Sequence, residues 1–261
     1  MKRTKLTAWI MITILLSGII PASAEEKAAP PEIQENEECY FDYLTFGVYE
    51  QDNNLENGPE PIEWFVLEVE NGRALVVSRH ALELMPYHNT IEWDTSLMWE
   101  TWDIRAWLNG EFLETAFTAA EIARIPTVTV EAQLNSFSYN QGNDTRDKVF
   151  LLSYNEVPRY FGNGRTRTCR PTEYAIARYE AKTGRQWKQI VDDVWEEYTG
   201  TCSWWLRTPG DFPGSATISH HRGGLGFMSS YSFTFPYAAF GYPEPDYHHG
   251  VRPAMWIDLE P

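Results

Sequence analysis

Apolar residues along this chain fall into short runs separated by Gly, Pro and Asn, and the runs near its two ends have the period of strands. Tyr40 to Tyr49 is an aromatic-rich run that opens the regular part. Trp64 to Val69 and Ala74 to Ser78 flank Glu70-Asn71-Gly72-Arg73. Asn-Gly between two strand-like runs is the strongest short-range hairpin signal, because such a turn needs positive φ at both central residues. Between the ends the period lengthens. Thr101 can cap a helix over Trp102–Leu108, with Gly110 as its stop, and Thr118-Ala119-Ala120-Glu121 is a capping box for a short helix to Arg124. Thr127–Ala132 reads as a strand, Leu134–Asp147 as a polar loop and Lys148–Leu152 as a buried strand. Ser153-Tyr154-Asn155-Glu156 is a second capping box, leading a helix to Phe161. Pro171 opens a helix through Tyr174, Ala175, Ala177 and Arg178. Trp187, Ile190, Val191, Val194, Trp195 and Tyr198 recur at helical spacing and stop at Gly200. From Trp204 onward the chain turns to short strands and loops, and Gly250–Leu259 closes it as a strand. Strands at both ends with helices between them predict a single α+β domain rather than an alternating parallel sheet.

Two stretches stand apart. Trp204-Trp205-Leu206-Arg207-Thr208-Pro209-Gly210 and Gly250-Val251-Arg252-Pro253-Ala254-Met255-Trp256-Ile257 each set an arginine inside an apolar run. In strand geometry Trp204 and Leu206 face one side, Trp205 and Arg207 the other. A charge placed so deep is costly unless it is paired or hydrogen-bonded. Buried carboxylates or carbonyls are therefore expected around Arg207 and Arg252, with Glu63, Glu100, Asp103 and Asp147 as candidate carboxylates. Trp204, Trp205, Arg207, Arg252 and Trp256 are assigned structural roles, and Arg207→Ala is expected mainly to lower stability.

The N-terminus changes the picture of location. Lys2, Arg3 and Lys5 precede the apolar Ala8–Ile20 run, and Pro21-Ala22-Ser23-Ala24 supplies small residues for a cut. Residues 1–24 are predicted to be a cleaved signal peptide, so the protein is expected to be secreted. Residues 25–39 are Glu-, Pro- and Ala-rich and are predicted to be a disordered leader, with residues 40–261 as the globular domain. No later segment approaches the roughly 20 apolar residues of a membrane span. The formal charge of −16 becomes −19 once three basic residues leave with the signal. A chain so acidic is repelled by nucleic acid and by anionic membrane surfaces. Of the three cysteines, Cys169 and Cys202 flank one segment and are the candidate disulfide, three thiols being the alternative.

Several blocks occur in a fixed order: Phe46–Gln51, Pro61–Trp64, Trp99-Glu100 with Ile104–Asn109, Asp147–Ser153, Pro171–Ala175, Trp204–Gly210 and Gly250–Ile257. Together, over about residues 40–259, they resemble an uncharacterised domain family of exported proteins of Gram-positive, largely gut-associated bacteria. That resemblance brings no activity with it. More distantly, the Trp-rich strand with Leu-Arg and the closing Gly-Val-Arg strand are similar to the C-type-lectin-like fold of the formylglycine-generating-enzyme type. The resemblance implies a twisted antiparallel sheet with flanking helices and long loops. A closely spaced cysteine pair for copper is missing near the C-terminus, so the oxidase activity is not implied.

Candidate chemistry is sparse. His220-His221 and His248-His249 are the metal temptation, but neighbouring strand residues point opposite ways and the spacing of a metal motif is absent. No metal and no cofactor is expected, and the histidines are read as solvated loop residues. No Gly-x-Ser-x-Gly elbow supports a serine hydrolase. The aromatic, Gly- and Ser-rich stretch Phe212–Tyr247 is the better candidate, since such loops offer rigid contact area with adaptable hydrogen bonds. Tyr231, Tyr237, Tyr242, Asp246, Tyr247, His220 and His248 are the candidate ligand-binding residues. The expected function is an exported, non-catalytic recognition domain for a glycan, peptide or surface partner. The alternatives are an enzyme of the formylglycine-generating or metal-assisted hydrolytic kind, and a structural surface protein.

Overall fold

The computed structural model describes residues 27–36, 40–87, 98–132, 142–187, 196–210, 215–229 and 248–260. In chain order the strands are β1 (Tyr43–Tyr49), β2 (Glu60–Glu70), β3 (Arg73–Ser78), β4 (Glu83–Pro86), β5 (Val128–Val130), β6 (Thr145–Asp147), β7 (Val149–Phe150), β8 (Trp204–Pro209), β9 (Ser215–Ser219), β10 (Leu225–Ser229), β11 (His248–Val251) and β12 (Ala254–Asp258). The helices are α1 (Asp103–Trp107), α2 (Leu113–Ala116), α3 (Ala119–Ile122), α4 (Glu156–Tyr160), α5 (Gly164–Arg167) and α6 (Glu173–Thr183). The class is α+β with largely antiparallel sheets and short helices.

Two five-stranded sheets organise the domain. One runs β1-β2-β3-β12-β7 and the other β10-β9-β8-β11-β4, while β5 and β6 form a separate ribbon. All neighbours are antiparallel except β11 and β8, which meet in parallel at Gly250 and Trp204. The predicted hairpin is present, with Asn71 at φ 51° and Gly72 at φ 72°. The two sheets share one continuous piece of chain. Gly250–Leu259 was expected as a single strand, but it divides at Arg252-Pro253 into β11 in one sheet and β12 in the other. Proline has no N–H to give a ladder, so pairing stops there and the chain can change sheets. Arg252 therefore stands at the seam.

The helical expectations hold in kind and shift in detail. Thr118 and Glu121 make both halves of the capping box at α3, and Ser153 and Glu156 exchange the same bonds before α4. Helix α1, however, does not stop at Gly110. The chain passes through a π-turn at Leu108–Phe112 into α2, and Phe112, Leu113 and Ala116 are buried. Burial of those side chains outweighs the stop signal of one glycine. Thr101 does not cap α1; its hydroxyl donates to the Met98 carbonyl. Strand β6 lies in the expected polar loop Leu134–Asp147, where pairing with β5 fixes it. The helix expected over Trp187–Tyr198 falls mostly on residues 188–195, outside the described residues.

The expected disordered leader differs as well. Over residues 27–36 it lies against the domain: Gln34 and Tyr43 exchange backbone bonds of 2.7 and 3.0 Å, and Ala28 N donates to Ala120 O at 3.0 Å. Lys27 pairs with Asp258 at 2.9 Å. Backbone pairing orders this segment although it has almost no large apolar side chain to bury. Among the described residues no helix is long and apolar enough to cross a membrane.

Candidate functional site

Strand β8 is buried on both faces. Trp204 packs on Phe161 and donates to the Arg167 carbonyl, while Trp205 packs on Tyr87 and donates to the Met85 carbonyl. Arg207, 5 % exposed, is held by Glu156, to which it gives both terminal nitrogens, and by the Leu151 carbonyl at 2.8 Å. Burial alone would raise the Glu156 carboxyl, but the Arg207 charge and its hydrogen bonds more than offset this and hold it below the usual range. Arg252, fully buried, gives Nε to the Ser78 carbonyl at 2.7 Å and lies between Phe65, Phe161 and Trp204. None of the four expected carboxylates pairs with either arginine. Asp147 instead binds Arg105 and Trp99, Glu63 binds Arg79, and Glu100 binds Asn143. The sequence marks Glu156 only as the end of a capping box, and in the fold it serves both as that cap and as the partner of Arg207. Trp256 on β12 is half-buried beside Arg207 and Glu156.

The ligand-binding candidates are placed unevenly. Tyr231, Tyr237, Tyr242, Asp246 and Tyr247 lie outside the described residues. His220 follows β9, and its ring covers Gly226, where an added Cβ would stand 2.8 Å from Nε2. His248 packs edge-on against Tyr179. His249 is half-buried and not a freely solvated loop residue: its Nε2 is inaccessible and without a partner among the described residues, and its ring stands 4.4 Å from that of Trp205. Burial, followed by the charges of His220 and His248, lowers its pKa to about 3. Cys169 and Cys202 are neighbours across an isolated antiparallel bridge, and both are buried thiols in this structure.

A cleft stands out beyond these candidates. It encloses about 350 Å³ between the end of β1, the loop after it, the π-turn between α1 and α2, and the start of α6. Tyr49, Trp107, Phe112 and Tyr174 form its walls, and Glu50, Glu111 and Arg178 bring charge to it. Beneath it lies Glu83, 4 % exposed, accepting from the Tyr49 hydroxyl at 2.7 Å and from Arg178 at 3.0 Å. Burial raises the Glu83 carboxyl, against the hydrogen bond from Tyr49 and the charge of Arg178. The Arg178 guanidinium also covers the Tyr174 ring at 5.6 Å. A signal for Glu83 was present and missed: it is an acid inside the apolar run Ala81-Leu82-Glu83-Leu84-Met85, the mirror of the two arginines. Beside the cleft, carboxylate oxygens of Glu50, Asp52 and Glu60 lie within 4.8 Å of one another. Asp52 and Glu60 already accept from Asn54, Asn57, Gln51 and the Asp52 backbone, so this cluster serves the loop.

A family model described as "Domain of unknown function (DUF6273)" matches residues 71–259. The match takes in both arginines, both buried cysteines, Glu83 and α6, and leaves β1 and β2 outside it. No curated protein and no solved structure matches the chain.

Proposed function

The chain belongs to the DUF6273 family, and we propose that it is an exported, non-catalytic recognition domain that takes a cationic, amphipathic ligand, such as the side chain of a basic peptide, in the cleft beside Tyr49. One observation carries this reading. The cleft joins aromatic walls to acids whose charge is not matched locally. Arg178 is committed to Glu83 and to the Tyr174 ring, while the exposed Glu111 has no basic partner among the described residues. An aromatic face beside a carboxylate attracts an ammonium or guanidinium group through both the ring quadrupole and the charge. The net negative charge, −19 once the three basic residues of the signal leave, would steer such a ligand from a distance. A C-type-lectin-like core is part of the proposal, supported by the C-terminal strand lying beside the N-terminal hairpin in one sheet.

The test is calorimetric titration of the full mature chain with a short Lys/Arg-rich peptide, its Glu-substituted counterpart and a neutral oligosaccharide, at low salt. The basic peptide is expected to bind at least tenfold more tightly than the acidic one, and Trp107→Ala and Glu111→Gln are each expected to weaken it. Equal or stronger binding of the acidic peptide, or of the oligosaccharide, removes the cationic reading.

A further inference from the structure

Arg252 presents an unsolved problem of charge. The residue is 0 % exposed, Nη1 and Nη2 have no hydrogen-bond partner among the described residues, and the guanidinium lies 5.1–5.7 Å from the rings of Phe65, Phe161 and Trp204. No carboxylate pairs with it among the described residues. A cation withdrawn from water calls for a counter-charge. Cys169 and Cys202 lie close enough to Arg252 for a charge on either sulfur to act on it. They face each other where Cys202 N donates to Cys169 O at 2.8 Å. Gly250 completes the enclosure, since a Cβ there would stand 2.9 Å from Cys202 Sγ and 2.7 Å from Ala81 Cβ.

We propose that Cys169 and Cys202 are a redox pair, a thiolate and a thiol when reduced and a disulfide when oxidised, with Arg252 as the counter-charge that favours the reduced form. Directly opposed residues of an antiparallel pair are close to the separation a disulfide needs. Burial alone would raise the Cys169 thiol. The Cys202 thiol, Arg252 and the Ala81 backbone together hold it below the ordinary thiol range, and Cys202, bonded to Cys169, is pushed well above it. The Arg79 and Arg170 carbonyls, 3.8 and 3.6 Å from Cys169 Sγ, would accept from a protonated thiol at long range, and this is the competition Arg252 has to win. The nearby Arg79 side chain is spent on Glu63, Arg170 reaches the Thr199 carbonyl, and the His80 ring lies against the Arg170 carbonyl.

The oxidant is a low-molecular-weight disulfide such as oxidised glutathione, reaching the pair before folding or through local opening. The Cys169 thiolate attacks one sulfur of that disulfide, forming a mixed disulfide and expelling one thiolate. Cys202 then gives up its proton and attacks Cys169 Sγ, expelling the second. Two electrons pass from the two cysteine sulfurs to the oxidant, and the proton from Cys202 ends on one departing thiol. The product is neutral, so oxidation removes the counter-charge of Arg252. Stabilising the reduced form is what makes a disulfide easily reduced.

The test uses the full mature chain in a Cys39→Ser background with ¹³Cβ-labelled cysteine, titrated with pH and equilibrated in glutathione buffers. The Cβ shifts separate thiol, thiolate and disulfide, and intact mass reads the loss of two hydrogens. Cys169 is expected to titrate below the ordinary thiol range. In Arg252→Met it should titrate higher, and the glutathione equilibrium should move toward the disulfide by at least tenfold, about 30 mV. Cys202→Ser retains Arg252 and guards against a misfolded Arg252→Met: Cys169 titrating below the ordinary thiol range is the supporting result, and Cys169 titrating within or above that range overturns the proposal. An unchanged glutathione equilibrium in a folded Arg252→Met overturns it too.

Discussion

Arg207 and Arg252 look alike in the sequence and differ in the molecule. Both sit in apolar, aromatic runs, and both are buried to within 5 %. Arg207 meets Glu156, an acid whose charge is permanent at neutral pH. Arg252 meets a carbonyl and three rings, with two thiols within reach of its charge. The difference is one of where the partner comes from. Arg207 lies in the interior of β8 and faces the first turn of α4, where the capping box already supplies a carboxylate. Arg252 lies at the break between two strands in different sheets, so its neighbours are the ends and edges of elements, where no acid had a local reason to be. A permanent counter-charge makes a rigid pin, and a thiol makes one whose charge can be removed.

The comparison predicts unequal costs. Stranding Glu156 by Arg207→Ala leaves a carboxylate whose side chain is only 21 % exposed, so the loss falls near the lower end of the cost of breaking a buried pair, about 3 kcal/mol. Protonation caps the ionic part of that loss, since neutralising a carboxyl of ordinary pKa 4.5 at pH 7 costs about 3.4 kcal/mol. Urea unfolding should show that loss, and Arg207→Met combined with Glu156→Leu should recover part of it, the capping bond from Ser153 N being lost with the carboxylate. Arg252→Met strands no carboxylate, and a thiol of ordinary pKa 9.0 takes its proton back at pH 7 without cost. The methionine fills the ring cage, so the expected loss is about 1–2 kcal/mol, mainly that of the charge-assisted bond to Ser78. Equal losses for Arg207→Ala and Arg252→Met would erase the distinction.

Much of this was legible, and the failures share a cause. The hairpin at Asn71-Gly72, the capping boxes at Thr118 and Ser153 and the helix after Pro171 are local signals, and local chemistry decides them. The need of Arg207 and Arg252 for partners was legible too, because the cost of a buried charge does not depend on the fold. The identity of those partners was not. Glu156 lies 51 residues from Arg207, and the seam that isolates Arg252 depends on Pro253 moving the chain from one sheet to the other. The cleft escaped for the same reason. Its walls come from β1, the α1–α2 turn and α6, which no spacing links, although Glu83 alone announced a buried charge.

His249, three residues before Arg252, is half-buried with an inaccessible Nε2, and shows a third way to place a polar group in the interior, by keeping it neutral. Its ordinary pKa of 6.5 falls to about 3 in the fold. Above pH 6.5 the ring is neutral in both states. As pH falls below 6.5, the unfolded chain takes up a proton that the folded chain refuses. Stability is therefore lost progressively down to about pH 3, by up to about 1.4 kcal/mol per pH unit. Urea midpoints measured from pH 4 to 7 should show that slope, and His249→Gln should flatten it. A wild-type slope unaltered by the substitution would place the acid sensitivity elsewhere.

The smallest effect belongs to Glu63, once expected beside the buried arginines. It pairs with Arg79 at 2.6 Å, with side chains 39 % and 41 % exposed. Water screens such a pair, and exposed pairs contribute at most about 1 kcal/mol. Glu63→Gln keeps the backbone bond from Arg79 N to Glu63 O at 2.9 Å, so strand pairing survives it. The expected change in urea midpoint corresponds to less than about 0.5 kcal/mol and vanishes in 0.5 M salt. A larger loss, persisting in salt, would mean that the charge of Glu63 reaches the seam after all, and that Arg252 has a carboxylate within its field.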